Sequence, residues 1–125
     1  MYVQTKSQFK VNHSLEERKR IYSKKQIIHP TKILIILEQF IDNSASYQLC
    51  LADPDQLMIN FEAEMNQQIK KKIPKAKNIS LFFFINKALP QKDFTMGQLQ
   101  QKMQDKEDGF LYVQVKSLET LGSLY

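Results

Sequence analysis

The sequence predicts an α+β domain, a four-stranded mixed sheet crossed by one long helix, with an additional N-terminal helix or helices. Three observations carry this prediction. Two near-continuous apolar runs, ILIIL at 33–37 and FLYVQV at 110–115, are short for buried helices and need cover on both faces, as central strands of a sheet receive. One stripe, Leu57, Phe61, Met65, Ile69 and Ile73, recurs every four residues, the spacing of a single helix face. Two capping boxes, Ser14 with Glu17 and Thr95 with Gln98, open further helices on either side of that stripe.

Taken in order, the first box starts a basic helix that stops near His29 and Pro30, because the residue before a proline resists helical angles. The arm ahead of it forms a short extra helix or stays extended. KILIILEQF is the first strand, IDNSASYQ a polar connection, and YQLCL an antiparallel partner. The striped helix spans 55–73, with Asp53 or Asp55 as its cap, Lys70, Lys71 and Lys72 at the negative end of its dipole, and Pro74 as its stop. LFFFIN is a third, buried strand, TMGQL opens a short helix, and the DG at 108–109 turns the chain into FLYVQV. Helix, strand, strand, helix, strand, short helix, strand is the order of ubiquitin-like β-grasp domains, whose first and last strands lie parallel at the sheet centre. The 55–73 helix then covers one face and the 14–28 helix the other.

The 125 residues suffice for one core and not for two domains. No stretch reaches the roughly 20 apolar residues of a membrane-spanning helix, and the N-terminus lacks the apolar segment of a secretory signal. Cys50 has no cysteine partner and sits in QLCL, where it reads as a small buried hydrophobe and makes a reducing, cytoplasmic setting the default. The net charge of +5 favours an acidic partner without choosing among nucleic acid, membrane and peptide. Paired catalytic carboxylates, a Cys–His arrangement, a phosphate-binding glycine loop and zinc spacing are all missing, so neither an enzyme nor a cofactor is expected. His13 and His29 read as structural. The basic residues Arg18, Lys19, Arg20, Lys24 and Lys25 read as a solvated face, or as a contact for acidic segments or lipid headgroups.

HPTKI at 29–33, LFFFIN at 81–86, TMGQL at 95–99 and EDGFLY at 107–112, in this order and closed by a glycine, resemble the autophagy ubiquitin-like modifiers, the GABARAP and light-chain-three family. The resemblance runs from about Phe9 to Gly122. It implies a single ubiquitin-like domain over 1–122 and a 123–125 tail that a dedicated cysteine protease removes. Gly122 would then be activated, passed through thioester carriers by activating and conjugating enzymes, and joined to phosphatidylethanolamine. A glycine without Cβ suits a tail that threads a narrow catalytic channel. Leu121 departs from the aromatic residue usual beside that glycine.

The resemblance also implies a groove for short peptides with one aromatic and one aliphatic anchor, as found in cargo receptors and adaptors, docked as an added strand on the hairpin edge. Carried over by position, the aromatic pocket involves Ile21, Lys25, Leu34 and Phe110, and Lys32 faces the acidic residues that precede the peptide's anchor. Leu34 stands in place of a proline and Ile21 in place of an acidic residue, making this pocket more apolar. The aliphatic pocket draws on Leu51, Pro54, Leu57, Met65 and Ile69, of which Leu57, Met65 and Ile69 also read as core. The protein implied is cytoplasmic, and on the autophagosome membrane when conjugated. Two other readings stay open: an unconjugated ubiquitin-like adapter, and a basic RNA- or tubulin-binding domain. No aromatic–basic RNA motif is present, so no nucleic acid is expected.

Overall fold

The two apolar runs lie side by side in the middle of a sheet. The computed structural model describes residues 6–41 and 44–117. Its elements are α1 (Gln8–Asn12), α2 (Leu15–Ile28), β1 (Ile33–Ile41), β2 (Ser44–Ala52), α3 (Met58–Lys72), a 3-10 turn (Pro74–Ala76), β3 (Leu81–Phe84), α4 (Met96–Met103) and β4 (Leu111–Ser117). The sheet order is β2-β1-β4-β3, with β1 antiparallel to β2, β1 parallel to β4 and β3 antiparallel to β4. Leu121, Gly122 and the 123–125 tail lie outside the described residues.

Alternation along the central strands feeds two cores, because successive side chains point to opposite faces. Ile33, Ile35 and Leu37 of β1 and Leu111, Val113 and Val115 of β4 meet Phe61, Met65 and Ile69 of α3 on one face. Leu34 and Ile36 on the other face join Phe9 and Phe110, with Ile21 and Tyr22 of α2 packed against them. All nine residues of β1 are buried, as its apolar run requires.

Both capping boxes form, with Ser14 accepting from the Glu17 N–H and Thr95 from the Gln98 N–H. The α3 cap differs from expectation. The helix starts at Met58, with Leu57 in the cap position and no side-chain cap, so neither Asp53 nor Asp55 serves. Instead the Met58 N–H donates to the Phe94 carbonyl at 2.8 Å and the Ile59 N–H to the Lys92 carbonyl at 3.0 Å. Distant main chain thus satisfies donors that a local side chain usually takes. Both hairpin strands are longer than their apolar runs, pairing out to Ile41 and Ser44. β3 is shorter and lies at a sheet edge, since Asn86 and Lys87 take positive φ in the turn that follows. The described part of the arm forms α1 (Gln8–Asn12), and the buried Glu38 holds its start by accepting from Ser7 Oγ at 2.6 Å and the Phe9 N–H at 3.3 Å.

Arg18 is not part of a solvated face. Its Nε donates to Asp108 Oδ2 at 2.9 Å and its guanidinium also reaches the His13 carbonyl at 2.8 Å. Asp108 accepts from the Phe110 N–H at 2.9 Å and from the Tyr112 hydroxyl. Burial, followed by the Asp108 carboxylate, pushes that hydroxyl well above its ordinary pKa. Gly109 beside it has φ +91°, and a Cβ there would stand 3.0 Å from the Tyr22 ring. Only glycine fits both the angle and the approach of α2.

Asp108→Ala strands a buried guanidinium and is expected to cost about 3–5 kcal/mol in urea unfolding. Lys10→Ala breaks the more exposed Lys10–Asp105 pair, and the same assay is expected to read about 1 kcal/mol or less.

Candidate functional site

The sheet order leaves β2 at an edge. Tyr47, Leu49 and Leu51 alternate along it and pair across from Glu38, Ile36 and Leu34, which places them on the α2 face. Tyr47 and Leu49 pack against the second core, and Leu51 is 39% exposed. The floor beneath is aromatic. Phe110 has ring centroids of Tyr22 at 5.1 Å, Phe9 at 5.5 Å and Tyr112 at 6.4 Å, all edge-to-face. The Tyr47 hydroxyl lies 3.3 Å from His13 Nε2 and accepts from Asn12 Nδ2 at 3.3 Å, so α1 fixes the upper end of this face.

Of the residues expected to form the aromatic pocket, Ile21, Leu34 and Phe110 share one apolar cluster. Leu34 and Phe110 are fully enclosed and form the floor, not an open wall. Lys25 lies one helical turn beyond Ile21 and is half-buried. Lys32 forms an ion pair with Asp53 at the lower end of the edge. These two side chains, with Leu51, Asp55, Gln56 and Glu64, line a cavity of about 360 Å³. Gln56 Nε2 donates to Glu64 Oε2 at 3.2 Å across it.

The second pocket divides. Leu51 and Leu57 are partly exposed and Pro54 is at the surface, where its carbonyl accepts from the Gly97 N–H at 2.8 Å. Met65 and Ile69 are not groove surface. They are 4% and 1% exposed and pack beneath the sheet, because the every-fourth-residue stripe of α3 faces the main core. Leu49 and Tyr47 were missed, although the period-two pattern from 47 to 51 marks them. Asp53, as the partner of Lys32, carries no local signal, since the two are brought together by the hairpin.

Cys50 points to the α3 side, its sulfur 3.9 Å from Met65 Sδ, and burial pushes its thiol up to about 11. Among the described residues no three His, Cys, Asp or Glu side chains are grouped as metal ligands, and no helix is long and apolar enough to cross a membrane.

The family model described as "Autophagy protein Atg8 ubiquitin like" matches residues 14–122. The chain belongs to the Atg8 family. It is similar to Autophagy-related protein 8D of Oryza sativa subsp. japonica, at 27% identity over 117 residues covering 91% of this chain and 96% of the relative. It is also 28% identical to Autophagy-related protein 8 of Mycosarcoma maydis over 122 residues, covering 95% and 99%. Its fold is similar to the crystal structure of Trypanosoma brucei ATG8, with a TM-score of 0.75, 22% identity and 91% and 97% of the two chains covered. A Plasmodium falciparum Atg8, solved in complex with a Plasmodium falciparum Atg3 peptide, superposes with a TM-score of 0.69 at 21% identity, covering 90% and 100%. The ubiquitin-like fold and the family expected from the four motifs are therefore shown, and identities near 27% fit a divergent Atg8.

With its thiol pKa raised, Cys50 is expected to react with iodoacetamide near neutral pH about a hundredfold more slowly than an exposed thiol. Denaturation should abolish the difference, as read by mass spectrometry.

Proposed function

We propose that this Atg8-family protein is a ubiquitin-like modifier of autophagy that is cleaved after Gly122 and conjugated there to phosphatidylethanolamine. The observation that carries the reading is the reach of the family match, which ends at Gly122. β4 is described as far as Ser117, and five residues, 118–122, separate it from the end of that match. In this reading the protein is cytoplasmic until conjugation places it on the autophagosome membrane. The modifier does no catalysis itself, and a processing protease and activating and conjugating enzymes act on it.

The β2 edge is the proposed docking site for peptides of cargo receptors, adaptors and the conjugating enzyme. Its outer main chain offers strand addition, Leu51 and Ile21 offer apolar contact, and Leu34 and Phe110 form the floor. The Atg3 peptide bound by the Plasmodium falciparum relative supports a peptide role for this family. Two features set this edge apart. Lys32 is already paired with Asp53, and Asp55 and Glu64 share the same cavity, so acidic residues flanking an incoming peptide gain little here.

Leu51→Ala is expected to weaken a peptide with aromatic and aliphatic residues three apart by about 1–2 kcal/mol in calorimetric titration. Asp53→Asn releases Lys32 and should tighten an acid-flanked peptide a few-fold, an effect that shrinks with salt, while a neutral-flanked peptide is unaffected. Phe110 is a poorer probe, because removing a fully buried ring costs about 3–5 kcal/mol of fold stability. If Leu51→Ala leaves affinity unchanged in the folded protein, the peptide binds elsewhere.

Gly122→Ala is expected to keep the fold and to block both tail removal and membrane attachment. Intact mass after exposure to cell extract, and flotation of wild type and variant from starved cells, check this. A variant that floats as well as wild type would replace the modifier with the unconjugated adapter.

A further inference from the structure

The positive charge of this chain is concentrated in one segment. Residues 65–92 contain seven lysines and no acidic residue, whereas the remainder holds eleven basic residues against all thirteen acidic ones and carries −2. Five of the seven, Lys70, Lys71, Lys72, Lys75 and Lys77, occupy the end of α3, the 3-10 turn and the residue that follows it. All but the half-buried Lys70 are exposed.

Topology fixes where this cluster sits. β4 runs toward Ser117, β1 runs parallel to it, β2 runs back, and α3 returns toward the same end. Lys72 Nζ donates to Gln48 Oε1 at 3.4 Å, so the helix end has reached at least the middle of the hairpin, where Gln48 pairs with Leu37. Leu81, four residues beyond Lys77, pairs with Ser117. The lysines therefore lie at the end of the domain from which the chain leaves for Gly122.

We infer that this end is a contact face for anionic membrane headgroups, engaged when the domain is held at a bilayer by its C-terminus. The inference rests on the proposed lipid attachment, which sets the geometry. Residues 118–122 span at most about 17 Å when extended, so the Ser117 end must stay close to the bilayer. Surface charges act over about 8–10 Å at physiological salt, and each lysine brought within that range is worth about fivefold in partitioning. A membrane fits better than RNA because the tether presents this end to the bilayer, whereas nothing in the fold presents it to a nucleic acid.

The test supplies the attachment artificially, so that it does not depend on processing at Gly122. The full chain, with a hexahistidine after Tyr125, is held on phosphatidylcholine vesicles by a nickel-chelating lipid, with or without about 30% phosphatidylserine. Lysine reactivity is then mapped by acetylation and mass spectrometry. The expected result is about threefold or greater protection of Lys70–Lys77 on anionic vesicles alone, lost near 0.5 M salt. Without nickel lipid, co-sedimentation with anionic vesicles should fall in Lys70→Gln/Lys71→Gln/Lys72→Gln and hold in Lys19→Gln/Arg20→Gln/Lys24→Gln. Equal reactivity on both vesicles, protection of the α2 lysines instead, or protection by an RNA oligonucleotide but not by vesicles overturns the inference. If Gly122→Ala still floats from cells while this protection holds, only the conjugation reading fails.

Discussion

The buried pair between Arg18 and Asp108 is the contact on which the α2 side of the molecule depends. An isolated carboxylate at this depth would neutralise itself, and an isolated guanidinium cannot. Together they are accommodated because their remaining capacity is filled, by the His13 carbonyl on one side and by the Phe110 amide and Tyr112 hydroxyl on the other. One interaction thus fixes the position of α2, the turn into β4 and the aromatic floor between them. The glycine at 109 is part of the same arrangement, since any Cβ would push the Tyr22 ring and α2 away from the sheet.

That clamp makes the two faces of the sheet unlike. Under α3 the core is large and continuous and mostly aliphatic, with Phe61 and Phe83 among its members, and Met65 and Ile69 serve it alone. Under α2 the core is aromatic and small, and it runs out at the β2 edge, where Leu51 is left partly in water. An edge strand with alternating apolar side chains is a hazard unless charge limits what can pair with it. Lys32, Asp53, Asp55 and Glu64 supply that charge at the lower end. The Lys32–Asp53 pair, with two further carboxylates beside it, narrows which flanking sequences gain from binding.

Much of the fold was legible in the residues. The central strands announced themselves because burial on both faces leaves no polar position in β1 from Ile33 to Leu37. The capping boxes of α2 and α4 were legible because a cap is satisfied by residues three apart. The α3 start was not, because its donors are taken by carbonyls of Lys92 and Phe94, more than thirty positions away. At the candidate site, Ile21, Leu34 and Phe110 share one cluster, while Tyr47 and Leu49 lay inside the strand read as YQLCL and were not assigned to the pocket. Met65 and Ile69 looked equally suited to core and pocket, since a helical stripe records which residues share a face and not what that face meets.

The sequence by itself determined the element order, the two-sided burial of β1 and β4, the Atg8 family through four motifs, and the glycine at 122. Each of these is written in local spacing or in residue type. Tertiary structure decided that Arg18 turns inward to Asp108, that Lys32 is held by Asp53, and that Lys70–Lys77 gather at the Ser117 end of the domain. Each of these joins charges carried on different elements. Charge is long-ranged and indifferent to periodicity, so its partners are chosen only once the chain has folded.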